Sequence, residues 1–214
     1  MARLIHSPTG SGPQGAFEQA LVESLVKGLT DTYRVLPNFS IKQSGQPALE
    51  YDVVVLAPHA IFVLEAKEWY GRLTGDDTEW LLNQQPKKCP LWLTDLKCKV
   101  LKSHLGGVSG HVWIDPLLVI PAATQNLLAG NWAAHVISLD RIVGHLTDER
   151  RVRHPRPIAG YHQSIQELLQ GAWAARRKEM KRRYGGWEAT ELLFADQEGA
   201  EYRAKRALVS DPTP

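Results

Sequence analysis

The chain has 214 residues, of which 43% are hydrophobic and 22% charged, and its formal net charge is +2. This composition is ordinary for a globular protein and excludes a polycation. The sequence shows no membrane-length apolar run, no secretory signal and no CxxC pair around Cys89 or Cys98, and therefore indicates neither a membrane span, a disulfide framework nor a zinc site. We therefore expect a cytoplasmic protein that does not contact membranes.

The first 14 residues are rich in Gly, Pro and Ser and predict a flexible leader. A helix is predicted over residues 14–29, where Phe17, Leu21, Val22, Leu25 and Leu29 follow helical spacing. A strand over residues 33–41 and a turn over residues 44–47 come next.

Two β-rich runs, residues 50–57 and 60–67, are separated only by Pro58 and His59. That spacing predicts an antiparallel hairpin with a very short connection. Both faces of the hairpin are largely apolar, as in a central pair of strands. One face is expected to carry Tyr51, Val53 and Val55, and the other to carry the charged residues at its open end.

The remaining elements are predicted from the same kinds of pattern. Thr94 is predicted to cap a helix that runs to about residue 105. Strands are expected at residues 79–82, 113–120, 136–138, 187–195 and 201–209, and helices at 139–146 and 160–183. The Arg- and Pro-rich residues 150–157 predict a boundary between a core at 15–149 and a C-terminal extension at 150–214.

The hairpin predicts a site for a cation. If residues 57 and 60 pair, Asp52 lies directly opposite Glu65, and Lys67 follows two residues along the same face. Two carboxylates about 4.5–5.5 Å apart at Cβ repel each other unless a positive group lies between them. Mg²⁺ prefers such oxygen ligands.

The alternative interpretation is a solvated strand end where Lys67 neutralises Glu65, and an isolated Asp…Glu-x-Lys match favours that interpretation. Glu18 makes a solvated strand end the less favoured interpretation, because Glu18 lies on the apolar stripe of the first helix and must point toward the sheet.

These residues resemble a known family. The helix with Glu18, the sequence EYDVVV at 50–55 and the sequence IFVLEAKEWYG at 61–71 resemble the nuclease-related domain (NERD) family, which is similar to the PD-(D/E)xK superfamily of restriction enzymes. The resemblance covers roughly residues 15–123. It also extends to the N-terminal region of kinase-linked proteins in phage-defence systems of the BREX/Pgl type, so the chain is expected to be the front piece of a longer polypeptide.

The resemblance implies a fold and a set of roles. The fold is an α/β, restriction-endonuclease-like mixed sheet with an antiparallel hairpin, flanked by helices, plus a small α+β extension at the C-terminus. Asp52 and Glu65 are the metal ligands, for Mg²⁺ or alternatively Mn²⁺; Lys67 is the catalytic lysine and Glu18 the accessory carboxylate. Many members carry a glutamine early in the helix after the hairpin. Here Lys97 or Thr94 is the candidate replacement, and Lys97 is expected to bind substrate.

The resulting functional hypothesis is Mg²⁺-dependent hydrolysis of phosphodiester bonds in DNA, in bacterial anti-phage defence. The alternative is an inactive module that binds nucleic acid or docks onto other domains or subunits of a larger defence protein. Trp69 could stack on a base, although packing is its commoner role. Basic clusters at 150–156 and 176–183 fit either phosphate binding or a solvated helix face.

Overall fold

The computed structural model describes residues 1–5, 13, 15–41, 48–179, 183–184, 187–195 and 200–206, with side chains up to Gln170. The strands, in chain order, are β1 (Arg3–Leu4), β2 (Arg34–Ile41), β3 (Leu49–Leu56), β4 (Ile61–Ala66), β5 (Arg72–Gly75), β6 (Trp80–Leu82), β7 (Gln85–Lys87), β8 (Ile114–Ile120), β9 (Gln125–Leu128), β10 (Val136–Ser138), β11 (Arg183–Tyr184), β12 (Trp187–Ala195) and β13 (Ala200–Arg206). The α-helices are α1 (Ala16–Gly28), α2 (Pro90–His104), α3 (Ile142–Thr147) and α4 (His162–Glu179).

A six-stranded mixed sheet forms the centre of the molecule, in the order β1-β2-β3-β4-β8-β10. Strands β2, β3 and β4 pair antiparallel, whereas β4, β8 and β10 run parallel to one another, as do β1 and β2. Parallel neighbours far apart in sequence need crossover connections, and α2 lies within the one between β4 and β8. The predicted fold class, a mixed sheet with a hairpin and flanking helices, is confirmed.

Helices cover both faces of this sheet. One core cluster joins residues of α1 and α3, such as Leu21 and Ile142, to Val53, Val55 and Phe62 of the hairpin. A second cluster joins residues of α2 and α4 to the opposite face of β3 and β4; its members include Leu101, Leu169, Val54, Leu56 and Ile61. Burial on both sides explains why the central strands are almost continuously apolar.

The hairpin has the predicted register. The amide of Ala57 donates to the carbonyl of Ala60 (2.9 Å), and Leu56 pairs with Ile61. The observed pairing runs from Leu56 and Ile61 to Val53 and Leu64. Asp52 and Glu65 are the next residues on the two strands, so they follow directly after the last observed pair.

Tyr51 lies on the other face from the one predicted. It belongs to the cluster around α2, stacks on Phe39 with ring centroids 4.8 Å apart, and donates its hydroxyl to the carbonyl of Lys97. The reason is a break at the same position in β2 and β3. Pro37 pairs with Val53 on one side of it and Phe39 with Tyr51 on the other, and Asn38 between them has a φ of 46°. The alternation of faces reverses there, so a strict period of two gives the wrong side for Tyr51.

One expectation at an element end was wrong, and the first residues of the predicted leader form a strand. Helix α2 begins four residues before Thr94, with Pro90 in its first turn, and the Thr94 hydroxyl donates back to the Pro90 carbonyl instead of capping. The start of the predicted leader is an edge strand, β1, and Ala2 packs in the core. Residues 6–12 and the predicted turn at 44–47 lie outside the described residues.

A second sheet, in the order β7-β6-β5-β9, was not predicted apart from β6. It extends the two central parallel strands: β4 leads into β5, and β8 leads into β9. The same 53-residue offset separates Ile61 from Ile114 in the first sheet and Arg72 from Gln125 in the second. The pair β5–β9 therefore continues the parallel pair β4–β8 in the same register, with an interruption between residues 67 and 71.

The C-terminal extension contains α4 and the three-stranded sheet β11-β12-β13. Ile165 and Leu169 of α4 pack in the cluster around α2, and Ile158 joins them. The predicted boundary at 150–157 stays a prediction, and the predicted turn at 197–199 lies outside the described residues. Within the described part of the chain, every helix is too short or too polar to cross a lipid bilayer.

Candidate active site

Asp52 bridges β3 and β4 with its side chain. In a regular ladder the amide of Ala66 would donate to the carbonyl of Tyr51, but here it donates to Oδ2 of Asp52 at 2.8 Å. The break in β3 therefore turns the Asp52 carboxylate toward the end of β4. A backbone amide fixes one oxygen of this carboxylate in place.

Glu65 occupies the end of β4 and is 7% exposed. Its Oε1 lies 2.8 Å from Nζ of Lys67, and its Oε2 lies 2.5 Å from Nζ of Lys97. Each carboxylate oxygen thus has its own ammonium partner. A buried carboxylate needs this compensation, because removal of an ion from water costs several kcal/mol (order of magnitude).

Lys97 reaches Glu65 from α2, on the face of that helix that packs against the sheet. Thr94, Lys97 and Leu101 lie three or four residues apart, and all three are buried. The hydroxyl of Tyr51 donates to the carbonyl of Lys97, so the backbone of this residue is also anchored to the sheet. Lys67 differs, since 37% of its side chain is exposed.

The pKa values of the two carboxyl groups are shifted in opposite directions. Burial and the charge of Glu65 raise the pKa of Asp52 to about 7, against the opposing effects of Lys97, the Ala66 amide and Lys67. Burial alone would raise the pKa of Glu65, but Lys97 and Lys67 outweigh it and hold that pKa well below its usual range. Two acids whose environments separate their pKa values in this way are frequent at functional sites.

The two lysines remain charged. Burial disfavours an ammonium, yet the pKa of Lys97 is raised, because Glu65 and Asp52 more than offset the burial. The pKa of Lys67 is raised for the same reason, with Glu65 as the main partner and smaller contributions from Asp52 and Glu18. Glu18 of α1 is half-buried, and its charge acts on Lys67. The predicted residues Asp52, Glu65, Lys67 and Glu18 therefore converge on one end of the hairpin.

Trp69 lies beside this cluster but packs as a structural side chain. It joins a third apolar cluster and meets Trp80 edge to face, with ring centroids 6.4 Å apart. Its carbonyl accepts a hydrogen bond from the Thr124 hydroxyl. The indole thus connects the segment after Lys67 to the second sheet, and its role as a base-stacking group stays a prediction.

Asn83 was not predicted from the sequence. Its side chain accepts from the amide of Arg72 (2.8 Å) and donates to the carbonyl of Tyr70 (3.0 Å), which clamps the segment that follows Lys67. Gly71 allows this contact: its φ is 104°, and a Cβ there would lie 2.1 Å from the Asn83 amide oxygen. The Gly at 71 was the available signal, since such glycines often mark a close approach of two segments.

No group of three or more His, Cys, Asp or Glu side chains among the described residues has the geometry of a metal site. Asp52 and Glu65 thus form a pair of carboxylates flanked by ammonium groups. In the first basic cluster, Arg150 and Arg151 both pair with Asp148. The side chains of the second cluster, 176–183, lie outside the described residues.

Comparison with known proteins identifies the domain. The family model described as "Nuclease-related domain" matches residues 14–121, about half of the chain. The chain is also similar to a protein described as "Probable kinase PglW" from Streptomyces coelicolor: 27% of the residues are identical over 147 aligned residues, which cover 62% of this chain and 9% of that protein. The chain thus spans less than a tenth of that relative, and no solved structure matches it. With the family match covering the helix, the hairpin and the charged cluster, the chain belongs to the nuclease-related domain family.

Proposed function

We propose that this domain is a metal-dependent nuclease that hydrolyses phosphodiester bonds in DNA, with Asp52 and Glu65 as the ligands of Mg²⁺. The observation that carries the proposal is the convergence of these two carboxylates beside Lys67 at one end of a buried hairpin. Charged groups at such a position destabilise a fold unless they are paired or bind an ion. The match to the nuclease-related family independently supports a nucleic-acid substrate.

The donor set fits a hard divalent cation. Asp52 and Glu65 supply carboxylate oxygens, which Mg²⁺ and Mn²⁺ accept together with water and phosphate oxygens. The raised pKa of Asp52 also fits, since a carboxyl that is destabilised as an anion gains most from a nearby cation. A bound divalent ion would supply Lewis-acid polarisation of the phosphate and a more acidic water.

The residues of the chain have separate roles in this proposal. Lys67 is partly exposed, so its ammonium can reach a phosphate or orient the attacking water and offset charge in the transition state. Lys97 is buried, so it acts on Glu65 and not directly on the nucleic acid, which revises the role expected for it. Glu18 modulates Lys67 from α1. Trp69 is half-buried; it supports the segment that carries Lys67 and is the proposed contact for a base.

The test is cleavage of duplex DNA in Mg²⁺ by the wild-type chain and by Lys67→Ala. We expect the substitution to lower the rate on the order of 100-fold, as loss of one group that stabilises transition-state charge does elsewhere. The matched control is Lys102→Ala, an exposed lysine on α2, which should leave the rate unchanged. Chelation of the metal should abolish cleavage in every variant. Equal rates for wild type and Lys67→Ala would remove the lysine from the mechanism.

The wider biological setting belongs to the same proposal. The relative named a probable kinase is much longer than this chain, which supports a role as one module of a larger protein. We propose that this protein acts on DNA in the cytoplasm, as part of anti-phage defence, alongside other domains or subunits.

A second candidate is a module that has kept the fold but docks onto nucleic acid or protein without cleaving. The observation in its favour is that both oxygens of Glu65 already have lysine partners, so the cluster is neutralised without a metal. A calorimetric titration of Mg²⁺ into wild type and Asp52→Ala separates the two candidates. Heat that Asp52→Ala abolishes supports the nuclease, whereas no heat in the wild type supports the docking module.

A further inference from the structure

The ammonium of Lys97 contacts Glu65, and its charge acts on both carboxylates of the site. Its Nζ is 2.5 Å from Oε2 of Glu65, and the side chain is 6% exposed. The charge of Lys97 also acts on Asp52, and more strongly than that of Lys67. A buried cation that stabilises two facing acids occupies the place that a metal ion takes at a two-carboxylate site.

The oxygens of Glu65 leave little room for an additional cation. Lys67 is bound to Oε1 and Lys97 to Oε2. Mg²⁺ coordinates carboxylate oxygens directly at about 2.0–2.1 Å and requires a near-octahedral shell. The ammonium of Lys97, 2.5 Å from Oε2 of Glu65, already uses the negative charge and a lone pair of that oxygen. A metal that binds Glu65 directly therefore competes with these two ammonium groups for its carboxylate oxygens.

We propose that Lys97 is an internal counter-ion that occupies the cation position between Asp52 and Glu65, so that a divalent metal binds only by displacing its ammonium. Lys97 is favoured over Lys67 for two reasons. It is the more buried of the two, and it extends from a different element, α2, so it can withdraw without moving the strand that carries Glu65. This inference rests on the proposed metal site and deepens it, because it makes Lys97 a positioning residue that sets metal affinity.

Competition of this kind predicts tighter metal binding when the ammonium is removed. A charge within 4–6 Å changes the proton affinity of a carboxylate by about one to three powers of ten, and a metal ion responds to the same potential. Titration of Mg²⁺ or Mn²⁺ alone into the 214-residue chain, followed by calorimetry, should give a Kd for Lys97→Met roughly tenfold lower than that of the wild type. Lys97→Gln, which keeps a donor for Glu65 without the charge, should show the same direction.

Two controls separate displacement from a general change in charge. Lys102→Met removes an exposed ammonium from the same helix and should leave the Kd unchanged. Lys67→Met removes the other partner of Glu65 and should tighten binding less than Lys97→Met, because Lys67 is more exposed. A thermal unfolding series in increasing metal gives a second readout, since stabilisation grows with the ratio of free metal to Kd.

The wild-type chain provides a test that does not depend on a variant folding. With ¹⁵N-labelled lysine, the buried ammonium of Lys97 should give a slowly exchanging NMR signal that disappears as Mg²⁺ saturates the site. A signal that persists in saturating Mg²⁺, or equal Kd values for wild type and the two Lys97 variants, would overturn the inference and leave the metal site intact. No binding in any variant would overturn the proposed metal site itself, and the inference with it.

Discussion

The two ends of the hairpin β3–β4 are stabilised in different ways. At the connected end, main-chain groups of residues 156–162 satisfy the turn: the amides of Arg156 and Ile158 donate to the carbonyls of His59 and Pro58, each at 2.8 Å. The ring of His162 donates to the carbonyl of Ala57 at 2.9 Å. No ion pair joins the described residues at this end.

The open end has the opposite character. Two carboxylates and two ammonium groups are packed there with little solvent, and the side chain of Asp52 replaces a backbone acceptor in the ladder. Hydrogen bonds between neutral groups would stabilise a strand end at lower desolvation cost. The difference teaches that the open end is built for charge, and that its lysines are what make this charge compatible with burial.

The largest expected effect is on stability, from Glu65→Gln. The substitution removes the anion that contacts the buried ammonium of Lys97, and loss of one partner from a buried pair costs about 3–5 kcal/mol. Chemical denaturation in chelator should show this decrease in the free energy of unfolding. The double variant Glu65→Gln/Lys97→Met should recover part of it, because both charges are then gone. A single variant within about 1 kcal/mol of wild type would contradict the importance of the pair.

The next effect is a pH dependence caused by Asp52. Its pKa in the folded chain, about 7, lies above the usual value of 3.8, so the folded state binds a proton more tightly than the unfolded state. Stability from this group is fully present below about pH 4 and is lost as pH rises through 7. Asp52→Asn keeps an acceptor for the Ala66 amide but does not titrate. In chelator, the free energy of unfolding of Asp52→Asn relative to wild type should rise on the order of 2–4 kcal/mol from pH 4 to pH 8. A constant difference would show that Asp52 ionises normally.

The smallest effect is expected at the connected end. His162→Phe removes one neutral hydrogen bond to Ala57 and should lower the free energy of unfolding by about 1 kcal/mol, with no effect on metal binding. Ser164→Ala, an exposed change two residues along the same helix, is the control. Altered metal affinity in His162→Phe would show that the two ends of the hairpin are coupled and would contradict their separate stabilisation.

The geometry of the hairpin could be predicted because it is local. The two-residue connection at Pro58 and His59 sets the register as far as Val53 and Leu64, and Asp52 and Glu65 are the next residues on the two strands. Lys67 follows from the period of a strand. Glu18 was predicted from the apolar stripe on α1; in the structure it is half-buried and its charge acts on Lys67.

The rest depended on contacts between distant segments. Lys97 was predicted near the site, but its ion pair with Glu65 requires the position of α2 over the sheet, which no local pattern contains. Tyr51 was predicted on the wrong face because the break in β3 lies beside the unusual backbone conformation of Asn38 in β2, which the sequence of β3 does not contain. Most of the second sheet was missed because its strands have three or four residues and β5 pairs with β9, 53 positions later.

The continuous offset between the two parallel strands has a consequence for how this domain can vary. Ile61 to Ile114 and Arg72 to Gln125 keep the same spacing across the interruption, so the two connecting segments match in length. One added residue on one side alone would shift β5 against β9 by one position; between β4 and β5 it would also turn Leu73, which is fully buried, toward solvent. Insertions and deletions on the two sides are therefore tolerated only in compensating pairs, and the length of one segment restricts the length of the other across half of the domain.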